Sequence, residues 1–474
     1  MNKMLDLFHP LLARWFLEKV GTPTEAQMLA WPRIAAGEHV LVTAPTGSGK
    51  TLTAFLWAIN QLVTGSWECG ATRVLYVSPL KALNNDIQRN LLAPLAETRD
   101  LFEREGVFFP DIQALTRSGD TPQSDRRRMV RRPPEILITT PESLNLLLSS
   151  ASGRSILSHL KTVILDEIHA VAGNKRGTHL ITAVERLVPL SGEFQRVALS
   201  ATVRPLELVA RFVGGLEKIG RGLGARHEAR PVTVLRSSGG KRYDLRIRHP
   251  ESAVNRGPDE IIWDALAEEF VRVIQRNRST LIFVNSRRIC ERIALLINNL
   301  AGEAIAYSHH GSLSREIREE VERKLKAGEL AAIVATSSLE MGIDIGSLDE
   351  VLMAQSPFEI SSAVQRLGRA GHRVGELSKG ALFPTHPHDF LEATVLVDCV
   401  LRGDIEELRV VEAPLDVLAQ VLISMTAVES WDIDDLYASI KTSHPYRNLG
   451  RREFDSVLNM LAGRYAESRL VAIG

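Results

Sequence analysis

The sequence predicts an α/β chain with two parallel-sheet domains in tandem and a helical segment after them. Three observations carry that expectation. Short β-branched runs alternate with longer amphipathic stretches from about residue 39. The alternation breaks at a glycine-rich segment, 214–224, and at Ser-Ser-Gly-Gly, 237–240, and then resumes. At 474 residues the chain is too long for one compact core, so two or three domains are expected.

The first block of runs is H-V-L-V-T (39–43), R-V-L-Y-V (73–77), E-I-L-I-T (135–139), T-V-I-L-D (162–166) and R-V-A-L-S (196–200). Runs this short suit strands covered on both faces of a parallel sheet, and the stretches between them can hold crossover helices. The second block is T-L-I-F-V (280–284), A-A-I-V-A-T (331–336) and E-V-L-M-A (350–354). After residue 406 helical patterns appear at 414–427, 432–441 and 451–463, and the chain closes on R-L-V-A-I-G. That ending suits either the opening of a winged helix or a plain helical cap. The expected domains are 1–235, 236–408 and 409–474.

Charge is balanced, with 57 basic and 57 acidic residues. A polyanion would therefore have to be met by a local stripe of cations, not by a global field. Cys69, Cys290 and Cys399 form no C-x-x-C pair, which argues against a zinc site or a disulfide framework and fits a reducing compartment. No apolar run is long enough to span a bilayer, and the start M-N-K-M-L-D-L lacks a signal-peptide core. A cytoplasmic protein without a membrane partner is expected.

Residues 44–51 read A-P-T-G-S-G-K-T, after one apolar run and before a helix expected over Thr51–Leu62. This is the context of a phosphate-binding loop. Gly47 and Gly49 let the backbone N–H groups of Thr46, Ser48 and their neighbours face phosphates, and the helix N-terminus adds its dipole. Lys50 should reach the β- and γ-phosphates, and Thr51 should ligate Mg²⁺. The strict pattern begins with glycine; here Ala44 takes that place. At 166–169 the run T-V-I-L leads into D-E-I-H. Asp166 would hold the metal through water and Glu167 would polarise the attacking water. A lone acidic pair is usually solvated surface; its meaning here comes from the loop upstream. ATP and Mg²⁺ are the expected ligands.

Further motifs follow in order. P-T-E-A-Q (23–27) resembles a Q motif, with Gln27 placed for an adenine edge. S-P-L-K-A-L (78–83), R-S-G-D-T (117–121), T-T-P-E-S-L (139–144) and S-A-T (200–202) come next. In the second block stand F-V-N-S-R-R (283–288), H-H-G-S-L-S (309–314), A-T-S-S-L-E-M-G-I-D-I (335–345) and Q-R-L-G-R-A-G-H (365–372). The series resembles a superfamily 2 DExH-box helicase core. In its details it is similar to the large helicase-related (Lhr) family over nearly the whole chain, including P-L-D-V-L-A-Q and D-D-L-Y near the end. The resemblance implies two RecA-like parallel-sheet domains in tandem followed by a partial or complete winged-helix domain. Members of that family usually continue into a large further domain, so a fragment or a short relative is expected.

The resemblance also implies roles. ATP would sit between the two domains. Arg366 and Arg369 are candidates for neutralising the γ-phosphate, with Arg369 favoured, and Arg373 could stand in for the arginine that His372 replaces. Each could instead only pair with an acid. Gly342 and Asp344 would approach the nucleotide, and Ser200 and Thr202 would couple the two states. Lys81, Arg117, Thr140, Ser286, Arg287 and Thr336 would grip sugar and phosphate. Arg126, Arg127, Arg128, Arg131 and Arg132 read as a solvated helix face, and His309 and His310 as a strand-end motif with no acid nearby in sequence. The implied activity is an ATP-dependent helicase or translocase, tracking single-stranded DNA 3′-to-5′ and opening DNA or RNA–DNA duplexes, in DNA repair. The rival readings are an RNA helicase of the DEAD-box kind and a binding or annealing module with weak ATPase.

Overall fold

The computed structural model describes residues 4–45, 47–79, 87–237, 242–250, 261–340, 348–371 and 377–464. The first domain is organised on β1 (His39–Thr43), β2 (Val74–Val77), β3 (Ala114–Arg117), β4 (Ile136–Thr139), β5 (Thr162–Leu165) and β6 (Gln195–Ser200). A hairpin, β7 (Leu216–Ile219) and β8 (Arg226–Ala229), precedes β9 (Val232–Arg236). The main sheet runs β3-β4-β2-β5-β6-β1-β9, and every pairing in it is parallel. The runs of the first block all become strands, and their residues are buried on both faces. Two apolar layers flank them, one rich in Trp31, Phe16 and Phe55, the other in Leu144, Ile181 and Phe212.

The glycine-rich stretch 214–224 is not a simple interruption. Gly215 takes a left-handed backbone (φ +58) that turns the chain into the antiparallel β7–β8 pair. β3 and β9 also went unread in the sequence, because A-L-T-R and V-T-V-L-R are half-exposed and carry no strong apolar run.

The second domain contains β10 (Arg242–Ile247), β11 (Thr280–Val284), β12 (Ala306–His309), β13 (Ala332–Ala335), β14 (Glu350–Ala354) and β15 (Leu377–Phe383), in the order β10-β15-β14-β11-β13-β12. It is parallel throughout. β10 is an edge strand whose alternation R-Y-D-L-R-I leaves Arg242 and Arg246 exposed, which hid it from a search for continuous apolar runs.

The last part holds helices Leu415–Thr426, Ile433–Ile440 and Arg451–Leu461 around a small core of Leu418, Val421, Leu436, Tyr446 and Phe454. It docks on the first domain. Asp435 accepts from the Gly222 amide (2.8 Å), His227 Nε2 meets the Ala438 carbonyl (2.7 Å), and the Leu216 amide donates to the Thr442 carbonyl (2.8 Å). The hairpin thus supplies part of the dock, and the helix Lys175–Ser191 another part, through Thr182 to Ser443 (2.9 Å) and Arg186 to Ser424 (2.8 Å). The terminal run R-L-V-A-I-G lies outside the described residues.

Candidate nucleotide and nucleic-acid site

Because each sheet is parallel, the carboxyl ends of its strands share one edge, where ligands of open α/β sheets bind. The loop 44–51 leaves β1, D-E-I-H leaves β5 and S-A-T leaves β6, so three segments far apart in sequence meet at that edge.

The loop holds its shape through its neighbours. Gly47 and Gly49 are left-handed (φ +79 and +77), and a Cβ on Gly49 would stand 2.8 Å from Nε2 of Gln27. A side chain there would be both strained and obstructed. Thr24 donates its hydroxyl to the Ser48 carbonyl (2.8 Å) and caps the helix Glu25–Ala35 together with Gln27. The Oε1 of Gln27 accepts from the Thr24 amide at 2.8 Å. The structure thus places Gln27 as a brace between its helix cap and the phosphate loop. The helix Lys50–Val63 begins at the lysine, and the Lys50 ammonium donates to the carbonyls of Ala44 and Pro45. Thr46 lies outside the described residues.

Asp166 is the centre of the acidic pair. Its Oδ2 accepts from the Thr51 hydroxyl (3.2 Å) and from the Tyr76 phenol (2.6 Å), and its Oδ1 from the Glu167 amide (2.7 Å). Burial raises its pKa, as does the Glu167 charge; Tyr76, Lys50 and the Glu167 amide act against that rise. A buried carboxylate beside a hydroxyl is the oxygen donor set a hard divalent cation takes. The residues present therefore fit Mg²⁺, which Thr51 and Asp166 would hold. Tyr76 was invisible to motif reading, since in R-V-L-Y-V it passes for one more buried strand residue.

Glu167 adopts φ +49, an uncommon backbone for a side chain of this size, and such outliers gather at functional sites. His169 lies behind it. The Ala201 amide donates to His169 Nδ1 at 3.1 Å. Burial, then the charge of Lys50, pushes the imidazole pKa down to about 4. The ring is neutral with its proton on Nε2, so the 3.4 Å approach of Glu167 to Nδ1 is not an ion pair. His169 therefore ties D-E-I-H to S-A-T, and the Thr43 hydroxyl holds the Ala201 carbonyl (3.1 Å). The Ser200 hydroxyl is buried with no hydrogen-bond partner among the described residues.

In the second domain both candidate arginines converge on Glu340. Arg366 donates through Nε to its carboxylate (2.7 Å), reaches Asn285 Oδ1 (3.3 Å) and lies over the Phe283 ring. Arg369 donates from Nη2 to the Glu340 carbonyl (2.7 Å). Glu340 begins the segment that leads to Gly342 and Asp344; those residues, with His372 and Arg373, lie outside the described residues.

The described candidate nucleic-acid residues lie at or just past strand ends of both sheets. Arg117 closes β3, half-buried, its pKa lowered by burial and then by Arg126. Thr140 caps the helix Pro141–Leu148, and Ser286 caps Arg287–Ala301, with Arg287 exposed at its first turn. Helix N-termini offer amides and a positive dipole end to phosphate. Thr336 follows β13, its amide bonded to the His309 carbonyl (3.3 Å). Lys81 lies outside the described residues. Of the arginine run, Arg127, Arg128, Arg131 and Arg132 are exposed, whereas Arg126 curls onto the carbonyls of Ser118, Gly119 and Thr121 and shapes the R-S-G-D-T loop. The histidine pair does find acids, supplied by neighbouring helices: His309 Nε2 meets Glu322 (3.2 Å) and His310 Nε2 meets Glu291 (2.6 Å). Sequence proximity could not show partners brought in by tertiary packing.

Comparison with known proteins agrees with this layout. The family model described as DEAD/DEAH box helicase matches residues 24–209, helicase conserved C-terminal domain matches 263–374, and the winged-helix domain of large helicase-related protein matches 398–470. The chain belongs to the large helicase-related (Lhr) family. It is 43% identical to the ATP-dependent helicase Lhr-Core protein 2 of Thermococcus barophilus, over 98% of this chain and 54% of that protein. Against the Lhr-Core helicase of Methanothermobacter thermautotrophicus it is 44% identical, over 98% and 53%. The solved structure of the Mycobacterium smegmatis helicase Lhr bound to ssDNA and AMP-PNP superposes with a TM-score of 0.87 at 44% identity, covering 97% of this chain and 58% of that one. The chain thus spans about half the length of the Lhr-Core relatives. The two sheets are RecA-like domains, and the Lhr winged helix follows them. Among the described residues no helix is long and apolar enough to cross a membrane.

Proposed function

We propose that this Lhr-family chain is an ATP-driven motor that moves along single-stranded DNA. One arrangement carries the reading: Lys50, Thr51 and Asp166 are gathered at one sheet edge, and His169 wires the acidic pair to Ala201. Lys50 neutralises the β- and γ-phosphates, and the loop amides between Gly47 and Thr51 cradle them. Thr51 and Asp166 would hold Mg²⁺, which would offset the charge of the phosphates. Glu167 orients the attacking water from its left-handed turn. Arg369, with Arg366 beside it, meets the charge that develops on the γ-phosphate when the domains close. Gly342 and Asp344, in the segment that follows Glu340, would approach the nucleotide from the second domain.

Closure on ATP and release after hydrolysis move the grips of one domain (Lys81, Arg117, Thr140) relative to those of the other (Ser286, Arg287, Thr336). Differential contact with the γ-phosphate drives the cycle. The single-stranded DNA in the Mycobacterium smegmatis Lhr structure supports DNA as the track. We extend the reading to 3′-to-5′ movement, to unwinding of DNA or RNA–DNA duplexes, and to a cytoplasmic role in DNA repair.

The deciding experiment measures ATP hydrolysis with and without Mg²⁺, single-stranded DNA and single-stranded RNA, and strand displacement from 3′- and 5′-tailed duplexes. Mg²⁺-dependent hydrolysis stimulated by DNA, lost in Lys50→Ala and Glu167→Gln, is expected. Stimulation by RNA alone would favour an RNA helicase. Duplex binding or annealing unchanged in both variants would favour a binding module.

A further inference from the structure

The route from the second domain to the winged helix is not a free linker. The helix Pro387–Arg402 ends at Gly403, whose left-handed backbone (φ +69) turns the chain back toward the first domain. The Leu408 amide donates to the Arg204 carbonyl at 2.6 Å, and the Arg204 guanidinium pairs with Asp404. Leu408 and Val410 pack against the apolar layer of the first domain. The Thr178 hydroxyl reaches the Val411 carbonyl (3.4 Å). Residues 404–411 are thereby laid along the first domain.

Between those anchors Glu406 faces the second domain. Its carboxylate accepts from the Ile360 amide (3.2 Å), the Ser361 amide (3.1 Å) and the Ser361 hydroxyl. These amides open the helix Ile360–Leu367, which carries Arg366 and leads to Arg369. A carboxylate there satisfies amides with no intrahelical partner and meets the positive end of the dipole. The N-cap of that helix is Glu359, whose own side chain makes no cap bond, so Glu406 provides that carboxylate from outside the helix.

At the other end, Arg204 stands just past Ser200-Ala201-Thr202. Ala201 is bonded to His169 and to Thr43. A cavity of about 280 Å³, lined by Thr43, Thr202, Val203, Arg204, Arg236 and Gly403 among others, leaves this segment room to shift. The links form one physical series: Glu167 turn, His169, Ala201, Arg204, strap, Glu406, arginine helix.

We propose that residues 404–408 are a coupling strap, with Arg204 and Glu406 as positioning residues that tie the state of the S-A-T segment to the arginine-bearing helix. The inference rests on the motor reading above. Magnitude separates this role from a structural one. The Arg204 and Asp404 side chains are 50% and 62% exposed, and exposed ion pairs contribute little to stability. Their value lies in keeping the strap in register with both domains.

The test uses this chain with Arg204→Ala, Glu406→Ala, the double variant and the conservative Glu406→Gln. ATP hydrolysis with and without single-stranded DNA, the Kd for that DNA and the thermal midpoint are measured for each. Basal hydrolysis should stay within about twofold of the parent while DNA stimulation falls about fivefold or more, with DNA affinity unchanged and the double variant no worse than either single, since both cut one series. Glu406→Gln, which keeps an acceptor, should recover part of the stimulation. If Glu406→Ala does not fold, Arg204→Ala and Glu406→Gln carry the same comparison. Parent-like stimulation in the folded variants, or losses that multiply in the double, would overturn the strap alone. A parent that hydrolyses ATP without DNA stimulation would sink the motor reading first and the strap with it.

Discussion

The phenol of Tyr76 donates to Oδ2 of Asp166 at 2.6 Å, the oxygen that also accepts from Thr51. Tyr76 is 1% exposed and its ring stacks on Phe55 with centroids 4.9 Å apart. It therefore fixes the direction in which the carboxylate points. Partners behind a metal ligand commonly matter about 10–100-fold. Tyr76→Phe keeps the packing and removes only the donor. The half-saturating Mg²⁺ concentration for ATP hydrolysis should rise about tenfold, within that range, with the thermal midpoint little changed. An unchanged Mg²⁺ titration would refute the assignment.

Lys50→Ala and Glu167→Gln should fail differently. Without the ammonium, nucleotide affinity falls, which a fluorescent ATP analogue reads directly. Glu167→Gln leaves the phosphate cradle whole and removes the carboxylate proposed to orient the water, so binding should persist while turnover drops by about 10²–10⁴. Equal loss of binding in both variants would contradict the division of roles.

Arg287 is exposed at the first turn of a helix capped by Ser286, a position suited to one phosphate. Arg287→Ala should weaken DNA binding alike for every base composition. It should also lower the slope of log K against log salt by about 1. A sequence-dependent loss would mean base contact instead.

Acid should destabilise the fold. Burial, then Arg196 and Arg230, hold the His39 pKa near 4, and burial, then Arg447 and Arg211, do the same for His444, against an ordinary 6.5. Both are neutral in the folded chain and protonate more readily when unfolded. Their contribution is complete above pH 6.5 and is lost as pH falls toward 4. The thermal midpoint should drop across that window. His39→Asn, which keeps an acceptor for the Arg196 amide (3.1 Å in the parent), should flatten the drop.

Glu185 is shared by Arg196 (Nη2 to Oε2, 3.2 Å) and Arg230 (Nη1 to Oε2, 3.0 Å), and the Arg196 side chain has no exposed surface. Glu185→Ala leaves the buried Arg196 cation without its carboxylate, while Arg230 keeps Glu193 (2.7 Å), and should cost about 3–5 kcal/mol in denaturant unfolding. A cost under about 1 kcal/mol would place this group with exposed pairs.

The sequence by itself determined the two parallel sheets and the order of the motifs. Runs such as H-V-L-V-T and T-V-I-L are buried on both faces, and A-P-T-G-S-G-K-T is a contiguous motif, so local pattern suffices. Half-exposed strands such as R-Y-D-L-R-I, and the hairpin within a glycine-rich stretch, left no such pattern. Only the tertiary structure decided which residues serve the motifs from a distance. Tyr76 faces Asp166 because β2 pairs with β5; Glu322 and Glu291 reach His309 and His310 from helices; Glu406 reaches Ser361 across 45 residues. Hydrogen bonds and ion pairs act over a few ångströms of space and are indifferent to separation along the chain, so partners of this kind come into view only once the sheets have been assembled.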